Sequence, residues 1–78
     1  MRTGIRTEFD LHGMTLAEAE RKFHELLNEA RLRNKLTEVL FITGPGKIQK
    51  HLLQLAKEQD LNAYIPLANN GCLVVEIE

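Results

Sequence analysis

The run Val39-Leu-Phe-Ile-Thr43 leads directly into Gly44-Pro45-Gly46, and this junction constrains the chain more than any other stretch. A short, continuous run of apolar β-formers suits a central strand buried on both faces. Glycine and proline must then turn the backbone. Beyond the turn, Ile48, Leu52, Leu55 and Ala56 recur at helical spacing, so a helix is expected from about Lys47 to Gln59. Leu53 falls off that stripe.

The flanking segments extend the pattern in both directions. Phe9 and Leu11 alternate with Asp10 and His12, which predicts a short strand closed by Gly13. Thr15-Leu-Ala-Glu18 has the spacing of a capping box, in which hydroxyl and carboxylate each satisfy an orphan amide. Leu16, Ala19, Phe23, Leu26, Leu27 and Ala30 then mark one face of an amphipathic helix. Arg31, Arg33 and Lys35 suit its negative end, with Asn34 as a left-handed cap. Further on, Ala63, Ile65 and Leu67 alternate with Asn62 and Tyr64, although Pro66 requires one side of that strand to be unpaired. Asn70-Gly71 signals a two-residue hairpin, followed by a strand with Leu73, Val75 and Ile77 inward.

The order is β-α-β-α-β-β. Two crossovers of one hand place both helices on one face of a four-stranded mixed sheet whose last strand runs antiparallel. The expected fold class is therefore α/β, a two-layer sandwich. The other sheet face would carry Asp10, His12, Tyr64, Cys72, Val74 and part of the second strand. At 78 residues the chain has room for one core. Residues 1–6 are expected to be a flexible arm and residues 7–78 the domain.

Composition narrows the function classes. A net charge of −1 does not announce a nucleic-acid binder by bulk, so distribution has to carry any such argument. Glu18, Glu20, Glu25 and Glu29 share the first helix, whereas Lys47, Lys50 and His51 crowd the segment after the turn and Arg2 and Arg6 sit in the arm. No uninterrupted apolar run exceeds four residues, which argues against a membrane partner. The first residues contain no apolar signal core, and the one cysteine cannot form an internal disulfide, so a cytoplasmic setting is expected.

The chemistry concentrates at two strand ends. Ligands of parallel crossovers bind beyond the carboxyl ends of the strands. Both Phe9-Asp-Leu-His-Gly13 and Thr43-Gly-Pro-Gly46 lie there, and on neighbouring strands they would stand roughly 5 Å apart. Thr43, Gly44, Gly46 and Lys47 have the parts of an anion cradle: backbone amides at a helix start, plus one ammonium. A plain strand-to-helix turn needs the same glycines. Asp10 and His12, two apart on a strand, would share a face and could reach one phosphate or one metal ion. A structural reading, with Asp10 accepting amides of the Thr43–Gly46 turn, accounts for them equally. Lys50 and His51 are candidate phosphate contacts one turn into the second helix. His24 is expected at the surface and Cys72 in packing. No Cys/His cluster has zinc spacing.

Together these motifs resemble the Smr (small MutS-related) domain family, which carries an LDLHG-type motif and a TGxG motif at these places and about this separation. The resemblance covers Thr7 to Ile77. It implies a fold like that of the C-terminal domain of bacterial translation initiation factor three. It also implies binding to DNA or RNA and, in many members, nicking or RNA-cleaving endonuclease activity. Asp10 and His12 match positions implicated in cleavage; Thr43, Gly44 and Gly46 match the TGxG loop. Phe9 replaces a leucine, Pro45 stands where the family is often basic, and Asn69-Asn70-Gly71-Cys72 replaces a glycine-rich turn.

The leading expectation is a small endonuclease. His12 would transfer the proton, the turn and Lys47 would hold the scissile phosphate, and Asp10 would orient the imidazole or bind Mg2+ or Mn2+. The alternative is a nucleic-acid-binding module without cleavage, favoured by the loss of a charge and an amide at Pro45. A third reading is a protein-interaction domain that uses the apolar part of the open sheet face.

Overall fold

The expected six elements form in the expected order. The computed structural model describes residues 5–33 and 36–77. They are β1 (Ile5–Asp10), α1 (Leu16–Arg33), β2 (Thr37–Ile42), α2 (Lys47–Glu58), β3 (Asn62–Tyr64) and β4 (Cys72–Ile77). Spatially the sheet runs β1-β2-β4-β3, with β1 parallel to β2 and β4 antiparallel to both its neighbours. β1, β2 and β3 therefore all end at the same edge.

The capping box forms as the sequence predicts. The Glu18 amide donates to Thr15 Oγ1 at 3.1 Å, and the Thr15 amide donates to Glu18 Oε1 at 3.0 Å. Ala19, Phe23, Leu26, Leu27 and Ala30 of α1 then meet Leu52 and Ala56 of α2 over Val39, Phe41, Leu73, Val75 and Ile77 of the sheet. Leu16, expected on the inward stripe, is exposed, because the first helical residue stands ahead of the buried turns; Met14 packs against the core instead. Leu53 is partly buried against the same core.

Three strand expectations change, each for a physical reason. β2 is not buried on both faces: Thr37, Val39 and Phe41 are buried, while Glu38 and Leu40 are half-buried and Ile42 is exposed. Helices cover one side of the sheet only, so the apolar run alternates after all. β3 stops at Tyr64 rather than reaching Leu67, since Pro66 lacks the amide that would continue the ladder. Ile65 and Leu67 are consequently exposed. The β3–β4 connection is a loop over residues 65–71, not a two-residue hairpin.

Of the arm expected over residues 1–6, Ile5 and Arg6 belong to β1. Residues 1–4 lie outside the described residues, as do Asn34 and Lys35, where the left-handed cap was expected. Among the described residues no helix is long and apolar enough to cross a membrane.

The cap can be tested by stability. Thr15→Ala is expected to cost about 1 kcal/mol, read as a lower urea midpoint at unchanged slope. The Thr15 amide, followed by the Thr15 hydroxyl and then Arg21, holds the Glu18 carboxyl below its ordinary value. A depressed folded pKa means stability that is present above the unfolded carboxyl's pKa and lost as pH falls through the folded one. Glu18→Gln is therefore expected to remove that part of the acid dependence of the urea midpoint.

Candidate functional site

Parallel pairing of β1 with β2 places Asp10 beside Ile42, so both motif-bearing loops leave the sheet together. The Leu11 amide donates to the Ile42 carbonyl at 2.8 Å, and the Leu11 side chain is buried. The chain then turns, with the Met14 amide donating to the Leu11 carbonyl at 3.1 Å. His12 accordingly sits in the turn, not on the strand, which corrects the expectation that Asp10 and His12 share a strand face. Asp10 Oδ1 accepts the His12 backbone amide at 2.9 Å. This Asx-type bond fixes the turn, and it engages neither the imidazole nor the Thr43–Gly46 turn.

His12 nevertheless meets the second loop. A β-carbon on Gly44 would stand 3.8 Å from His12 Cδ2, and Gly44 has φ of +71°. At Gly46, φ of 146° and ψ of −144° define a conformation open essentially to glycine alone. The imidazole and the start of α2 thus flank the same turn.

A third loop completes the site. The Thr43 and Gly44 amides both donate to the Gly71 carbonyl, at 3.0 and 2.8 Å. The buried Thr43 hydroxyl donates to the Gly44 carbonyl at 2.8 Å and lies 3.4 Å from that of Gly71. From α2, Gln49 Nε2 donates to the carbonyls of Asn70 at 2.7 Å and Cys72 at 2.9 Å. Asn69 Oδ1 accepts the Gly71 amide at 3.1 Å. These bonds change the anion cradle. Two of its amides are committed to Gly71, and Pro45 has none. The donors that face outward come from Gly46 and the first turn of α2, which has no side-chain cap.

Sequence reasoning missed Gln49. The signal was present: Gln49, Leu52 and Ala56 form the buried stripe of α2, and a polar residue on such a stripe must find partners. Lys47 and Lys50 are exposed on the same helix. His51 is drawn elsewhere, its Nε2 lying 3.6 Å from Glu20 Oε2 of α1, with His24 Nε2 3.9 Å from the other oxygen of that carboxylate. His24 lies half-buried at the surface of α1 and Cys72 is packed in the sheet, in line with expectation.

Among the described residues no three His, Cys, Asp or Glu groups converge to hold a metal ion. Asp10 commits one carboxylate oxygen to its turn, so by itself it does not make an all-protein cage for Mg2+ or Mn2+.

Gln49→Leu tests the clamp. Removing the donor to two carbonyls is expected to cost about 1–3 kcal/mol. Hydrogen exchange should localise the damage: the Thr43 and Gly44 amides lose protection while the Leu11 amide, bonded to Ile42, retains it.

Comparison with known proteins follows the same lines. The sequence model of the Smr domain matches residues 9–78. The crystal structure of the Smr domain of Thermus thermophilus MutS2 superposes with a TM-score of 0.79 at 23% identity, covering 92% of this chain and 98% of that one. At that identity the likeness is one of fold. No curated protein matches the chain. With a family match over all but the first eight residues, the chain belongs to the Smr family of nucleic-acid-binding, nuclease-related domains.

Proposed function

We propose that this domain binds nucleic acid at the shared edge of β1 and β2 and cleaves it there, with His12 as the residue that moves the proton. The observation that carries this reading is the approach of His12 Cδ2 to within 3.8 Å of where a β-carbon on Gly44 would stand, which puts an imidazole beside a turn that opens onto a helix start. Imidazole exchanges protons near neutral pH, and outward amides with Lys47 stabilise charge that builds on phosphate.

RNA supplies its own nucleophile. His12 would accept the 2′-hydroxyl proton as the oxygen attacks phosphorus, the bond to the 5′-oxygen breaks, and that oxygen takes a proton from water, with His12 afterwards returning its own to solvent. The products are a cyclic phosphate and a 5′-hydroxyl end. Gly46 and Lys47 hold the phosphate in this scheme, and Lys50 contacts its neighbour. Thr43 and Gly44 shape the turn from within, since their polar groups already have partners. His51 contributes less than its position in α2 suggests, because Glu20 faces it. DNA lacks the 2′-hydroxyl; a divalent ion would there supply an activated water, with Asp10 as its protein carboxylate.

A binding module without cleavage is the second reading. It is favoured by the amide inventory of the turn, where Gly71 occupies two donors and Pro45 removes a third.

Labelled single- and double-stranded RNA and DNA, incubated with and without Mg2+ or Mn2+, separate the two. Under the first reading His12→Ala reduces cleavage by about 10²–10⁴-fold while binding persists. Lys47→Ala with Lys50→Ala weakens binding of every substrate and flattens its salt dependence by roughly 0.7 log units per lost phosphate contact on single strands. Salt-sensitive binding with no product from the wild-type domain would leave the binding module.

A further inference from the structure

Four exposed apolar residues gather at the edge that carries the proposed site. Among the described residues the exposed large hydrophobics are Leu16, Leu32, Ile42, Tyr64, Ile65 and Leu67. The last four lie at the end of β2, the end of β3 and in the loop that follows. β2 and β3 both run antiparallel to β4, so their ends share one edge. The loop from Ile65 returns to Gly71, whose carbonyl holds the Thr43 and Gly44 amides. The apolar lip is thus built largely on the loop that holds the turn.

Its surroundings limit what can lie on it. Leu40, Val74 and Tyr64 are cross-strand neighbours on the sheet face without helices, and Ile42 and Cys72 form the next row toward the edge. Val74 and Cys72 are buried within this face, whereas Tyr64 is 44% exposed and the Leu67 side chain stands fully in solvent. One row farther from the edge, Glu38 pairs across from Glu76, and Asn62 Nδ2 donates to Glu76 Oε1 at 2.7 Å. Arg6 occupies the register position across from Glu38, so that row carries charges of both signs. A ligand spanning the region therefore meets the proposed phosphate site at the turn, then an apolar step with a phenol ring, then a row of mixed charge. A nucleotide has that order of chemistry, with a charged phosphate at one end and a flat apolar face at the other. In a duplex those faces are stacked on one another and cannot reach a protein surface.

Resting on the function proposed above, we infer that the Tyr64–Leu67 lip receives an unpaired nucleobase next to the phosphate held at the Gly44–Lys47 turn. Single-stranded or looped nucleic acid is then the substrate class, and Tyr64 the residue that selects it. Tyr64 stands two strands from β2, roughly 10 Å, within reach of a base on a neighbouring nucleotide.

The test compares wild-type, Tyr64→Ala, Tyr64→Phe, Leu67→Ala and Lys47→Ala proteins in binding one short labelled oligonucleotide, offered as a single strand and as a duplex at low salt. Tyr64→Ala is expected to weaken single-strand binding by at least about five-fold, the low end for an aromatic–base stack, and to leave duplex binding unchanged. Tyr64→Phe, which keeps the ring, should restore it, and Leu67→Ala should show a smaller single-strand loss. Equal losses on both substrates, or none on the single strand, overturn the inference. Loss in Lys47→Ala alone would do so while leaving the proposed phosphate site intact. Wild-type protein that binds neither form would overturn both.

Discussion

The Gly71 carbonyl is the point on which the site depends. It accepts two successive amides, from Thr43 and Gly44, and so joins the loop after β3 to the turn before α2. The bond pair lies just beyond the last ladder position of β2 with β4, where Ile42 faces Cys72. It extends the sheet into the loops and stiffens a region that would otherwise be three separate connections. Gln49 secures the same loop from the helix side through the carbonyls of Asn70 and Cys72. A turn rich in glycine and proline has little intrinsic preference for one shape. Here the shape is imposed from outside by a carbonyl and an amide group contributed by other elements.

This arrangement explains which features were legible in the sequence. Elements set by near neighbours were visible, such as the Thr15–Glu18 capping box and the stripe from Ala19 to Ala30. So was the crossover pattern that makes β1 and β2 parallel, and with it the juxtaposition of the two motif loops. Features set by distant partners were not. The alternation hidden in Val39–Ile42 appears only because one layer of helices covers one face. His12 leaves the strand because Asp10 accepts its amide, and a two-residue spacing does not distinguish that bond from two side chains on one face. Asn70-Gly71 has the composition of a tight hairpin, yet β3 ends before Pro66 and a longer loop must close the distance. The acceptor role of Gly71 leaves no trace in its own residue type.

Charge is arranged by element rather than by excess. The chain carries ten lysines and arginines against eleven acidic residues, so no net attraction to polyanions operates at a distance. Glu38 and Glu76 lie next to one another on the open sheet face, and Glu8 is exposed at its margin. Glu20 stands between the two histidines of the helical layer, where it competes for His51. Lys47 and Lys50 stand in the first turn of α2, just after the Gly44–Gly46 turn, where the helix start adds its partial positive charge. The ammonium groups at the start of α2 and the carboxylates of the sheet face thus belong to different elements.

Pro45 is best understood against the same bonds. In a turn whose amides all faced outward, a proline would remove a ligand. In this turn the amides on its amino-terminal side are already directed inward to Gly71, and the outward donors begin after it, at Gly46. Proline also fixes its own φ between two glycines that both need positive φ, which narrows the unfolded ensemble of a segment that has much conformational freedom to lose. Pro45 therefore helps to hold the shape that positions Gly46 and Lys47. In this site rigidity comes from backbone carbonyls and ring closure, and charge is delegated to the first turn of the helix.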